Sequence, residues 1–332
     1  LPRMNAEGRR SGARLGWPRI RRIARINGSS EFESVTIRAI RGSVPIRACP
    51  RSSAAESAHA SAVPWPPVAL IYCGIDEAGY GPTLGPLCVG CAVLRVDDWT
   101  EGDPAPDLWK LLGRAVCREG SDKRHRIAVN DSKKLKLANS SVRRHPLYHL
   151  ERGVLSFLAC MDGCADGPLI PETDQALFAA AGVSAAAERW YALDPVPCPC
   201  GSSADELAIA ANTLRLALGS AAVSVSAMRC EAVPESAFNE LFEAAGTKAA
   251  VTESVLVRYL AEVWDRYAGA DEQAGGVRVI CDRQGGRTQY GEMLARTFPD
   301  ATVTTIAETA AESKYEIRSR AGGGEGGGER RM

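Results

Sequence analysis

The chain has 332 residues, of which 45% are hydrophobic and 24% are charged, and its formal net charge is zero. This size suits one large domain, so the eleven cysteines are expected as reduced thiols rather than as the staples of a disulfide mini-fold. Because no run of about 18 apolar residues occurs, we predict no membrane partner. We also expect a monomer in the cytoplasm.

The charge is unevenly distributed along the chain. The first 67 residues hold twelve Arg, no Lys and four acidic residues, so the remainder is net acidic. A net-acidic body does not exclude nucleic-acid binding, but it requires a local basic patch as the binding surface. It also allows some of the acid to be gathered where it holds cations.

Residues 1–66 are predicted to be a disordered basic N-terminal extension, because they show no sustained period of 2 or 3.6 residues. Three interpretations stay open for this segment: a disordered arm or spurious extension, an organellar transit peptide, and a nucleic-acid-binding arm. Residues 67–320 are predicted to form the catalytic domain. Residues 321–332 are predicted to be a disordered Gly-rich tail.

Within the predicted domain, short apolar runs rich in β-formers alternate with helical patterns, which is typical of an α/β fold. The predicted strands cover 68–75, 87–94, 221–228, 277–281 and 301–306. The predicted helices cover 204–218, a segment beginning at Glu235, 253–267 and 289–298. We expect a mixed central β-sheet flanked by helices, with a long insertion at about 151–233.

Carboxylates follow two of the predicted buried strands. Asp76 and Glu77 directly follow the predicted strand at 68–75, and Asp282 directly follows the one at 277–281. Strand ends are the usual position of a site in an α/β sheet. Mg²⁺ prefers oxygen ligands, and two ions about 3.5–4 Å apart can stabilise both oxygens exchanged in phosphodiester hydrolysis. The pattern therefore indicates a candidate catalytic and metal-binding site.

The segment Asp76-Glu77-Ala78-Gly79-Tyr80-Gly81-Pro82-Thr83-Leu84-Gly85-Pro86 resembles the D-E-A-G-R-G-P-x-x-G-P signature of the type 2 ribonuclease H family (ribonuclease HII/HIII). Asn130-Asp131-Ser132-Lys133-Lys134-Leu135 is similar to the D-S-K-K-L motif of that family. Further similarities follow in the same order at Pro234-Glu235…Asn239, at Ile280-Cys281-Asp282, and at Glu308…Glu312-Ser313-Lys314-Tyr315. Together they cover about residues 70–317.

The resemblance implies a ribonuclease H-like fold and an endoribonuclease that uses Mg²⁺ or Mn²⁺ at a two-metal site. Its partners would be RNA/DNA hybrids, cut in the RNA strand, or duplex DNA with embedded ribonucleotides. By position, Asp76, Glu77, Asp282 and Glu312 would be catalytic and would hold the metal ions, with Glu308 as a rival to Glu312. Gly79, Tyr80 and Gly81 would lie against the ribose 2′-OH, and Ser132 and Lys133 would contact phosphate.

Two departures from the family pattern keep other functions open. Tyr80 stands where the family usually has Arg, and the chain after Tyr315 lacks the helix-forming segment with which the family continues. One alternative is therefore a diverged, catalytically weak relative that binds nucleic acid. Another is a different nuclease on the ribonuclease H-like fold, since this fold hosts several chemistries.

Four cysteines and two arginines are further candidates for a role at a site. Cys160, Cys164, Cys198 and Cys200 could in principle bind structural zinc, but their irregular spacing favours unpaired thiols. Arg283 and Arg287 follow Asp282 closely, and either phosphate contact or simple exposure fits them.

Overall fold

The computed structural model describes residues 34–38, 68–78, 85–100, 103–162, 170–184, 191, 194–268, 274–284 and 287–320. All of these lie in one compact unit that begins at Phe32. Among these described residues, no helix is long and apolar enough to cross a membrane.

Nine strands are found in the described part of the chain, seven of them in one sheet. They are β1 (Ser34–Arg38), β2 (Val68–Ala78), β3 (Leu87–Trp99), β4 (Val116–Cys117), β5 (Ile127–Ala128), β6 (Val223–Val233), β7 (Ala274–Asp282), β8 (Ala301–Glu308) and β9 (Glu312–Ser319). The order in the large sheet is β6-β3-β2-β7-β1-β9-β8, and β4 and β5 form a separate pair.

The large sheet is mixed. Strand β3 is antiparallel to both β2 and β6, and β7 is parallel to β2. On the far side of β7, β1 is antiparallel to β7 and parallel to β9, and β8 closes that edge antiparallel to β9. Strand β1 therefore joins the β8–β9 hairpin to the rest of the sheet.

Eight helices accompany these strands in the same described ranges. They are α1 (Leu108–Leu111), α2 (Ser132–Leu135), α3 (Tyr148–Leu158), α4 (Asp174–Ala180), α5 (Ala204–Ser220), α6 (Glu235–Ala245), α7 (Lys248–Tyr267) and α8 (Gly291–Thr297). The two longest begin where the sequence offers a cap. Ser203 and Glu206 form a reciprocal capping box at α5, and the Thr247 side chain caps α7.

Both faces of strand β2 are covered, which explains its continuous apolar sequence. Ile71, Cys73 and Ile75 pack in the cluster formed with α7, whereas Leu70 and Tyr72 pack in the cluster formed with α5. Helix α7 supplies side chains to its cluster at helical spacing. The prediction of a mixed α/β fold, with a mixed central sheet flanked by helices, is confirmed.

The structure differs from the predicted segment boundaries in two places. Strand β1 lies inside 1–66, where a disordered extension was predicted; its Val-Thr-Ile centre has strand propensity, but five residues among arginines are too short to show a period. Strand β6 lies inside the predicted insertion 151–233, yet it pairs with β3 along its length. That end of the predicted insertion therefore belongs to the central sheet.

Candidate functional site

Two of the predicted carboxylates extend neighbouring parallel strands. The last paired residues of β2 and β7 are Ile75 and Cys281, and Asp76 and Asp282 are the next residues of these strands. Each carboxylate accepts a backbone hydrogen bond of 2.8 Å from the residue that follows it, Glu77 or Arg283. Local backbone therefore fixes one oxygen of each carboxylate at the same end of the sheet.

The charges at this end of the sheet influence one another. Loss of hydration raises the pKa of Glu77 to about 7, and the negative charges of Asp76 and Asp282 contribute to the same shift. The pKa of Asp76 is raised as well, first by loss of hydration and then by Asp282. Although the Asp76 residue is exposed, its carboxylate is partly dehydrated by the strand ends around it. The three carboxylates thus form an acidic cluster whose negative charge is only partly offset by nearby positive charge.

Helix α2 brings a positive charge to the acidic cluster. Asp131 caps this helix by accepting a 2.8 Å hydrogen bond from the Lys133 backbone. The exposed Lys133 side chain lowers the pKa of both Asp76 and Glu77, whereas Asp131 raises that of Asp76. Asp131 was not among the predicted site residues, although its place before Ser132 gives it the sequence signal of a helix cap. Ser132 is exposed at the first turn of the helix.

Glu312 lies in the same row of the sheet but one strand further away. Ser34 of β1 is in register with Asp282 on one side and with Glu312 on the other. Two strand spacings therefore separate Asp282 from Glu312, about 10 Å. The Glu312 carboxylate accepts a 2.7 Å ion-paired hydrogen bond from Lys314, and it is not among the charges that shift the pKa of Asp76 or Glu77. Asp76, Glu77 and Asp282 thus lie within electrostatic reach of one another, whereas Glu312 lies two strands away from Asp282.

The hairpin that carries Glu312 is held by hydrogen bonds that involve three buried residues, Arg283, Tyr290 and Tyr315. The Arg283 guanidinium, at the end of β7, donates 2.6 Å hydrogen bonds to the carbonyls of Thr309 and Ala310 in the β8–β9 turn. The Tyr315 hydroxyl donates to Glu308 and accepts from the Tyr290 backbone.

These contacts assign structural partners to several predicted candidates. Glu308, the rival to Glu312, accepts from Tyr315, and Arg287 is ion-paired with Glu253. Arg283 is buried and bonded to the hairpin turn, so phosphate contact is not its role in this structure. After Tyr315 the chain continues as the second half of strand β9, where the type 2 ribonuclease H pattern has a helix. The hydrogen bonds around Tyr315 hold this strand in place.

Gly79, Tyr80 and Gly81 lie outside the described residues, and their predicted contact with ribose stays a prediction. The described chain resumes at Gly85, whose φ of +99° favours glycine. Its backbone donates a 2.9 Å hydrogen bond to the Glu235 carboxylate, which also accepts from the Tyr191 hydroxyl. Helix α6, which begins at Glu235, therefore anchors Gly85, near the end of the 76–86 motif.

A metal ion would find an incomplete set of ligands in the described part of the chain. No group of three or more His, Cys, Asp or Glu side chains is arranged there to hold one. The donor chemistry nevertheless fits a hard cation, because Asp76, Glu77 and Asp282 supply only oxygen and repel one another. Glu312 does not join this set, since Lys314 neutralises it.

Two other features lie apart from the acidic cluster. A pocket of about 520 Å³ is lined by Arg287, Thr288, Gln289, Glu292, Met293 and Arg296, and it contains none of the predicted carboxylates. Of the candidate zinc ligands, Cys164 lies outside the described residues. Cys160 donates to the Ala211 carbonyl, and the Cys200 sulfur lies 3.9 Å from His145 Nδ1.

The fold and the acidic cluster define a mixed α/β protein with carboxylates gathered at the ends of neighbouring parallel strands. Comparison with protein-family models, curated proteins and solved structures finds no match to this chain. A functional assignment therefore depends on the sequence motifs and on the geometry of the cluster.

Proposed function

We propose that this protein is a metal-dependent endoribonuclease on a ribonuclease H-like fold. It hydrolyses the RNA strand of RNA/DNA hybrids, or DNA at embedded ribonucleotides. The observation that carries this proposal is the acidic cluster. Asp76 and Asp282 directly follow the last paired residues of two adjacent parallel strands. Their charges and that of Glu77 repel one another, and Lys133 lies within electrostatic reach. The resemblance of 76–86 and 130–135 to the type 2 ribonuclease H motifs supports the same activity.

Asp76, Glu77 and Asp282 would hold the Mg²⁺ or Mn²⁺. A divalent cation offsets the repulsion between these carboxylates and, when bound, activates water and stabilises charge on phosphate oxygens. Lys133 adds a point charge for a phosphate, and the Ser132 hydroxyl is exposed beside it. The three carboxylates are not arranged around a common ion in the described structure, so their side chains would have to converge when the metal binds. Glu312 is not required.

The contacts of Glu312 also favour a second candidate function, a diverged relative that binds nucleic acid and cleaves it weakly. Lys314 already neutralises the carboxylate that the resemblance assigns as fourth ligand. If a fourth ligand is needed for fast cleavage, this ion pair must open first, and the rate falls accordingly.

The deciding experiment is cleavage of a labelled RNA/DNA hybrid, and of duplex DNA with one ribonucleotide, in Mg²⁺ or Mn²⁺. We expect Asp76→Asn and Asp282→Asn each to lower the rate by about a hundredfold or more, because each removes a metal ligand. Glu312→Gln should lower it less than about threefold, since the carboxylate is already paired. Glu243→Gln, on the exposed part of α6, is the matched control with an unchanged rate.

Each outcome separates the candidate functions. Binding without cleavage by the unmodified protein would support the weak relative. Equal cutting of plain duplex DNA would contradict both and favour another nuclease on this fold. Loss of activity in Glu312→Gln as large as in Asp76→Asn would show that a four-carboxylate site assembles on metal binding.

A further inference from the structure

Residues 108–152, here called the basic module, form an island of positive charge in an acidic body. The basic module holds twelve Lys or Arg and four Asp or Glu. The rest of the body, 68–107 and 153–332, holds sixteen basic and thirty-two acidic residues. Ten of the basic side chains in the module are exposed: Lys110, Arg114, Arg118, Lys123, Arg124, Lys133, Lys134, Lys136, Arg143 and Arg144.

Three of the four acids of the basic module are engaged in structural contacts, and the fourth is the exposed Glu119. Asp122 is ion-paired with Arg126 at 2.8 Å, and Asp131 caps α2. Glu151 accepts backbone hydrogen bonds from Cys200 and Gly201. Ten exposed basic residues thus face one exposed acid, so the module presents a net positive field to solvent.

One cation of the basic module is held in a fixed position. The guanidinium carbon of Arg118 lies 4.0 Å from the ring centroid of Trp109, a cation–π contact. The indole is itself fixed, because Trp109 Nε1 donates a 3.1 Å hydrogen bond to the Val129 carbonyl. A guanidinium stacked on a ring keeps its N–H edges directed outward, where they can bind a phosphate through two parallel hydrogen bonds.

A short series of contacts links this cation to the acidic cluster. Asn130 Nδ2 donates a 3.0 Å hydrogen bond to the Arg118 carbonyl, and the Asn130 side-chain oxygen accepts one of 2.8 Å from the Asp131 backbone. Asp131 caps the helix that bears Lys133. Arg118 and Lys133 are therefore parts of one connected structure, with Lys133 at the end that faces Asp76 and Glu77.

We infer that the basic module is a nucleic-acid contact surface outside the acidic cluster, in which Arg118, positioned by Trp109, binds a backbone phosphate. The inference rests on the proposed function for the identity of the ligand, and it extends the contact beyond the predicted Ser132 and Lys133. A nucleic acid fits better than an anionic membrane. Trp109 is the only exposed Trp of the described module, and its ring is not free to insert into a membrane surface. Arg118 covers one face of the ring, and the indole N–H donates to the Val129 carbonyl.

The test is equilibrium binding of a fluorescent RNA/DNA hybrid of about 30 base pairs in EDTA, where metal-dependent cleavage cannot occur. Arg118→Ala should weaken binding about tenfold and lower the slope of log affinity against log salt by about one. Arg266→Ala removes one exposed Arg from α7 and serves as the control with unchanged affinity and slope.

Two further variants separate positioning from folding. Trp109→Leu should weaken binding without lowering the salt slope by a full unit, because the Arg118 charge remains but is no longer held. Arg118→Lys keeps the charge and should lie between the unmodified protein and Arg118→Ala. Circular dichroism and thermal melting of each variant verify that it is folded; if Arg118→Ala is unfolded, the comparison of Arg118→Lys with Arg266→Ala decides.

Equal binding by Arg118→Ala and Arg266→Ala would overturn the inference. So would tighter binding to vesicles of phosphatidylserine than to the hybrid. These outcomes are independent of catalysis. A protein that binds through Arg118 but does not cleave would refute the proposed endoribonuclease and keep the surface, and a protein that cleaves without any Arg118 effect would do the reverse.

Discussion

Glu77 is a carboxylic acid whose pKa lies near neutrality. Loss of hydration, Asp76 and Asp282 raise its pKa to about 7 from the ordinary 4.5. The folded protein therefore holds a proton that the unfolded chain has already released between these two values. Stability accordingly falls as the pH rises through this window, and the penalty is complete above pH 7.

Glu77→Gln tests this directly, because the amide resembles the protonated acid at every pH. In EDTA we expect the substitution to raise the free energy of unfolding by about 1 kcal/mol at pH 8, allowing for solvent screening of a half-exposed group. At pH 4 the effect should vanish. Urea unfolding at both pH values measures it, and an equal effect at both would show that Glu77 ionises normally.

At the residue scale, the sequence indicates where Asp76 and Asp282 lie in the sheet, but it does not indicate the surroundings of Glu312. Asp76 and Asp282 could be placed because apolar runs mark where their strands end, and parallel neighbours end at the same edge. Glu312 was assigned from the order of motifs alone. The sequence does not show that β1 would lie between Glu312 and Asp282, or that Lys314 would bind the carboxylate.

The β8–β9 hairpin depends on contacts made at its turn. Arg283→Met should lower the free energy of unfolding by about 2 kcal/mol, because two part-buried hydrogen bonds from a charged donor to the turn are lost. Urea unfolding provides the measurement. Arg296→Met, which removes an exposed and ion-paired Arg from α8, should cost less than about 1 kcal/mol. Similar losses in both variants would mean that the turn does not need Arg283.

The elements recognised in advance are those with long apolar patterns. Helix α7 and strands β2 and β3 have enough buried positions to reveal their period. Strand β9 buries Tyr315 and Ile317 on alternate positions, but also buries Glu316, and this charged residue obscured the pattern. The smallest elements, such as α1 and β4, are too short to carry any period and are shaped by tertiary contacts.

The whole sheet depends on a strand that comes from the N-terminal segment. A chain that begins at residue 67 lacks β1, so β7 and β9 each lose one of their two partner strands. We expect it to lose at least about 3 kcal/mol of unfolding free energy, through exposed backbone groups and a detached hairpin. Urea unfolding and protease cleavage of 301–319 measure the two effects.

The matched control is a chain that begins at Phe32, which keeps β1 and the compact unit that starts there. It should unfold at the same urea concentration as the full chain and resist the protease equally. If the chain that begins at residue 67 behaved like this control, β1 would contribute nothing to the sheet.

The position of β1 also determines when the sheet can be completed during synthesis. Its partners in β7 and β9 follow roughly 250 and 280 residues later in the chain. At translation rates of about 5–20 residues per second, β1 waits about 15 to 55 seconds for them. The entropic cost of closing a loop grows only slowly with its length, so this separation costs little stability. Contacts between residues so far apart in the chain nevertheless slow folding. The strand that unites the two halves of the sheet is the first to be made and among the last to be paired.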